Sequence, residues 1–100
     1  MVQTNTRAKV SILTVVDSMN DLQQAVTRLV KANPGSVWKS KSRTLTLYNG
    51  GKVFFVVADT HDQVTMAICG KEFSFVDIAP DSWVLDSQAT INYIHSRVRG

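Results

Sequence analysis

Three aspartates each close an apolar run: Asp17 after Val15 and Val16, Asp59 after Val57 and Ala58, and Asp77 after Phe75 and Val76. Open α/β sheets gather ligands at the carboxyl ends of their strands, and carboxylates clustered there can hold Mg²⁺ for phosphodiester chemistry. Asp17, Asp59 and Asp77 are therefore the metal candidates. Asp17 also stands where a helix needs an N-cap, and Asp59 opens a turn, so both have a purely structural alternative. His61, His95 and Cys69 offer at most three zinc ligands without a recognisable spacing. Cys69 lies in an apolar stretch and reads as a small packing group rather than a nucleophile. A second constellation is cationic. Lys39, Lys41 and Arg43 recur at every second residue after Trp38, which in an extended segment places all three on one face. A basic row beside an aromatic suits phosphate tracking with one stacking group, or selection of an acidic protein surface. Its plainer alternative is a solvated edge strand guarded by charge. Lys52, directly after Gly50 and Gly51, completes the set of candidate contacts.

Those residues sit in a chain of 100 residues, which is one domain's worth of sequence. With 44% hydrophobic and 19% charged residues, the chain has the makings of a packed core and is not disordered throughout. No apolar run approaches the roughly 18 residues of a membrane span, and residues 1–9 lack the apolar centre of a signal peptide. One cysteine makes no internal disulfide, in keeping with a reducing compartment. A cytoplasmic protein with no membrane partner is expected. No CxxC, HExxH, GxSxG or Walker A pattern occurs, so no enzyme class is indicated and no cofactor is expected. The net charge of +3 is mild for a dedicated nucleic-acid binder, but it is unevenly spread. Residues 1–52 hold eight basic and two acidic side chains, whereas residues 53–94 hold one basic and six acidic. Either the two halves attract each other across one fold, or the basic half faces a polyanion or an acidic partner.

The elements that would position these groups follow from periodicity. Residues 1–8 read as a flexible polar tail and residues 9–100 as a single globular domain. Residues 9–16 are apolar on both faces, with Val10, Ile12 and Val16 on one and Leu13 and Val15 on the other, which predicts an interior strand. A helix follows, capped at Ser18 with Asp21 three residues on. Its stripe runs through Met19, Leu22, Val26, Leu29 and Val30, and it stops at Asn33-Pro34-Gly35. Residues 43–59 read as a hairpin about Asn49-Gly50. Residues 64–69 and 72–78 read as two further strands, and a final helix starts near Asp86-Ser87 with Ile91, Ile94 and Val98 on its buried face. The expected fold is mixed α/β, or α+β: a small, mostly antiparallel sheet with two helices, in the order β-α-β-β-β-β-α. Trp38, Trp83, Phe54, Phe55 and Phe73 supply much of its core.

An apolar strand and an amphipathic helix thus lead to a hairpin at Asn49-Gly50-Gly51-Lys52-Val53. The Gly70-Lys71 turn then leads into Phe73-Ser74-Phe75-Val76-Asp77. Over residues 9–80 this order resembles the central part of the ATPase domain of phage terminase large subunits and helicase-like P-loop proteins. The resemblance implies that Asp77 matches the Walker B aspartate. Two parts of that family's machinery are missing. Gly51-Lys52 is followed by Val53 rather than Ser or Thr, so there is no phosphate cradle. Ile78 stands at the position of the catalytic glutamate. The resemblance therefore implies a binding role without ATP hydrolysis. The expectation is a non-catalytic binding protein, a viral or mobile-element accessory or inhibitor that docks on a protein of nucleic-acid metabolism. It would use Trp38, Lys39, Lys41, Arg43 and Lys52, and an uncovered sheet edge would allow a homodimer. The first alternative is a direct nucleic-acid-binding module built on residues 38–43. The second is a Mg²⁺-dependent phosphodiester enzyme using the strand-end aspartates.

Overall fold

The computed structural model describes residues 10–98, so the tail expected over residues 1–8 lies outside the described residues. The elements are β1 (Ser11–Val16), α1 (Met19–Ala32), β2 (Val37–Lys39), β3 (Thr44–Thr46), β4 (Lys52–Val57), α2 (His61–Ile68), β5 (Phe75–Ile78) and α3 (Gln88–Ser96), with a 3₁₀ turn at Trp83–Asp86 before α3. They form one five-stranded mixed sheet in the order β2-β3-β4-β1-β5. β4 and β5 both run parallel to β1, with Ser11 opposite Lys52 and Ile12 opposite Phe75. β2 and β3 add an antiparallel ribbon outside β4.

The mixed α/β class agrees with the sequence, but the element order and sheet polarity need correction. Residues 64–69, expected as a strand, belong largely to helix α2. That helix is a crossover on the opposite side of the sheet from α1, so it returns the chain parallel to β1. A short strand, β2, precedes the hairpin, and the described residues form three α-helices rather than two. The sheet is therefore a parallel core of β4, β1 and β5 with an antiparallel margin, not a mostly antiparallel sheet.

β1 is an interior strand, between β4 and β5, because both its faces are apolar. Leu13 and Val15 pack with Val56, Ala58, Val64, Ile68, Phe73, Val84 and Ile94 beneath α2 and α3. Val16 and the half-buried Ile12 pack with Leu22, Ala25, Leu45, Val53 and Phe55 beneath α1. Alternation along β1 and β4 thus serves two cores, one on each face. Local chemistry starts each helix. Ser18 Oγ accepts from Asp21 N at 3.2 Å, Thr60 Oγ1 accepts from Gln63 N at 3.2 Å, and Ser87 Oγ accepts from Thr90 N at 3.4 Å. α1 buries Leu22 and Ala25, while Met19 and Val30, at the ends of the expected stripe, stay exposed. The β3–β4 connection turns at Asn49-Gly50 as expected. Gly50 has φ +92° and donates its N–H to Leu47 O at 2.9 Å, while Asn49 Oδ1 accepts from Gly51 N at 2.9 Å.

Candidate functional site

In a sheet wound from two sides, the place for a ligand is the carboxyl edge, where β1 and β4 send their helices to opposite faces. Asp17 and Asp59 follow those two strands, so parallel pairing brings their strand ends to one edge. Asp17 is already engaged there. Its Oδ1 accepts from Ser82 Oγ at 2.7 Å and its Oδ2 from Trp83 N at 3.4 Å. Trp83 also reaches across to β4, donating Nε1–H to Ala58 O at 2.8 Å. The crevice is thus closed by the 3₁₀ turn, whose N-cap Ser82 and first residue Trp83 both donate to Asp17. Asp59 is exposed, and its N–H donates to Gln63 Oε1 at 2.7 Å. Asp77 lies within β5, exposed and opposite Thr14 rather than at the strand's end. It lines a cleft of about 300 Å³ beside α1 with Asp21, Arg28 and Asp81. Among the described residues, no group of three or more His, Cys, Asp or Glu side chains is placed to hold a metal ion.

The cationic candidates are arranged differently from a row on one strand face. Lys39 ends β2, and residues 40–43 form the turn into β3. Alternation stops at that turn, so Lys41 and Arg43 sit at a hairpin tip. Arg43 is the one non-glycine residue with positive φ among those described, at +52°. Its carbonyl accepts from Phe55 N at 2.9 Å, but its own N–H turns back to Ser40 O at 3.3 Å. The chain therefore peels away from β4 at Arg43. A cleft of about 240 Å³ opens where the ribbon would have continued. Lys41 and Arg43 line one side, and Ala67, Ile68 and Lys71 the other. The floor is β4 from Phe54 to Val57, with Phe73, whose ring meets Phe54 edge-on at 5.6 Å between centroids.

Lys71 is the member of this group that the sequence reading missed. It lies 28 positions after Arg43 in the chain, and only α2 as a helix brings it to the cleft. Its Nζ donates to Ala67 O at 3.3 Å, at the end of that helix. Trp38 is turned inward. Its ring meets Phe55 edge-on at 5.5 Å, and it lines a second cleft of about 370 Å³ against Leu22 and Val26 of α1. Arg43 borders this second cleft as well, so the hairpin tip separates a groove on each face. Lys52 starts β4 at the opposite, amino edge of the sheet, apart from the tip. Comparison with protein-family models, curated proteins and solved structures gave no match.

Proposed function

We propose that this chain is a binding module that docks on an acidic protein partner through the β2–β3 tip and the cleft beside it. The observation that carries the reading is convergence. Lys41 and Arg43 from the turn and Lys71 from beyond α2 line one cleft with an aromatic floor. Apolar contact supplies affinity, while the cations select and steer the partner. A non-catalytic role is supported by the self-filled carboxyl edge, where Ser82 and Trp83 both donate to Asp17. With Trp38 packed inward against Phe55, nucleic-acid binding would rest on the tip cations without their stacking group.

The test is capture from lysate by the wild-type chain and by a Lys39→Ala, Lys41→Ala, Arg43→Ala variant, each with and without nuclease. The reading expects a stoichiometric protein that survives nuclease treatment and is lost with the triple variant. Capture that disappears on nuclease treatment moves the function to direct nucleic-acid binding. Capture unchanged in the triple variant removes the tip from consideration.

A further inference from the structure

The cleft beside the tip has an unfinished ladder on its floor. β3 pairs with β4 only from Thr44 opposite Phe54 to Thr46 opposite Lys52. Beyond that, β4 continues through Val56 and Val57, paired with Val15 and Val16 of β1 on its other side. Ladder parity fixes which backbone groups face which way. Lys52 N donates to Val10 O and Ala58 N to Val16 O, so even-numbered residues of β4 bond to β1. Odd-numbered residues face the ribbon, as Phe55 N does in donating to Arg43 O. A regular antiparallel pair would return a bond from Arg43 N to Phe55 O. Arg43 instead gives that N–H to Ser40 O. The carbonyl of Phe55 and both backbone groups of Val57 are thereby turned toward the cleft.

We propose that this stretch of β4 accepts an extended, acidic segment of a partner protein as an added strand. The backbone of the segment would complete the ladder at Phe55 and Val57. An apolar side chain would lie over Phe54 and Phe73, and carboxylates on its flanks would meet Lys41, Arg43 and Lys71. Strand addition draws affinity from main-chain bonds and specificity from alternate side chains, and this cleft offers both parts. Charge complementarity chooses the occupant: among the described residues three cationic side chains line the cleft, and no carboxylate does. This inference rests on the docking reading above and narrows it to a backbone geometry.

The probes are a short fluorescent peptide alternating glutamate and valine, the same peptide N-methylated at alternate backbone nitrogens, and a single-stranded oligonucleotide of equal charge. The readouts are anisotropy and amide hydrogen exchange. The expected result is binding of the unmodified peptide, slowed exchange at the Val57 amide, and affinity reduced about tenfold or more by N-methylation. Arg43→Gly with Lys41→Ala should weaken binding similarly while preserving the turn, because glycine accepts positive φ without strain. Equal binding of the peptide in which each register has been N-methylated, with Val57 exchange unchanged, overturns strand addition and leaves acidic docking standing. No peptide binding at millimolar concentration, with the oligonucleotide bound, overturns both readings.

Discussion

Single residues carry two of the structural devices. Arg43 holds φ +52°, a left-handed conformation that puts about 1–2 kcal/mol of strain on a residue with a Cβ. Arg43→Gly should relieve it and raise stability by about 1 kcal/mol, read as a higher denaturation midpoint. If the midpoint falls instead, the arginine stem contributes more by packing than its backbone loses. Trp83 is the second device. Its Nε1–H ties the 3₁₀ turn to Ala58 O, and Trp83→Phe keeps most of the ring while deleting that donor. The expected loss is about 1–2 kcal/mol in chemical denaturation, with native secondary structure retained in circular dichroism. The sequence offered Asp17 as the N-cap of the first helix, but Ser18 holds that place, and the actual partners of Asp17 were not legible. Ser82 and Trp83 lie 65 and 66 positions away, and no local pattern reports a contact at that range.

At the scale of elements, α2 depends on its start. It spans only His61–Ile68, and short helices gain little from their own hydrogen bonds. Thr60 and Gln63 act together there: Thr60 Oγ1 accepts from Gln63 N, and Gln63 Oε1 accepts from Asp59 N. Thr60→Ala should cost about 1 kcal/mol and Thr60→Ser much less, measured by urea unfolding. This pair is also the signal that would have placed the helix. Thr60-x-x-Gln63 is close to a capping box, whereas the apolar run from Val64 to Cys69 is too short for periodicity to separate helix from strand. Misreading it made β5 part of a mostly antiparallel sheet instead of a parallel strand across a crossover. β1 was legible because its two apolar faces admit only an interior position. The β3–β4 hairpin was legible because Asn49-Gly50 demands a turn. The basic row was misplaced because nothing in Ser40–Ser42 announces that the chain reverses there.

For the molecule as a whole, the uneven charge along the chain becomes an arrangement across the sheet. Asp21 and Asp62 lie in the first turns of α1 and α2, near Asp17 and Asp59 at the strand ends. Lys31 lies in the last turn of α1, and Lys52 begins β4 at the amino edge. Acidic groups at helix starts and basic groups at helix ends complement the peptide dipoles, so Asp21, Asp62 and Lys31 serve the fold. The hairpin tip departs from this arrangement, because Lys41 and Arg43 lie alongside the carboxyl half of β4. An acidic partner should therefore associate more slowly as salt rises, with dissociation changing less. Stopped-flow mixing at several ionic strengths checks this. A salt-independent association rate would remove steering by the tip.

The two outer strands of the sheet, β2 and β5, keep one side open, and Phe75 and Val37 are 58% and 55% exposed there. The interior strand β1 has the opposite fate, with consequences during synthesis. β1 precedes every other described strand in the chain, yet its two neighbours are β4 and β5, separated from it by the whole of α1 and the ribbon, and then by α2 as well. A nascent chain must carry an unpaired segment, apolar on both faces, until β4 has left the ribosome. Closure of such distant pairings is slow, and an unpaired apolar strand is the part of a chain most exposed to aggregation while it waits. Fragments ending before Lys52 should accordingly be insoluble or chaperone-bound, with β1 as the segment held.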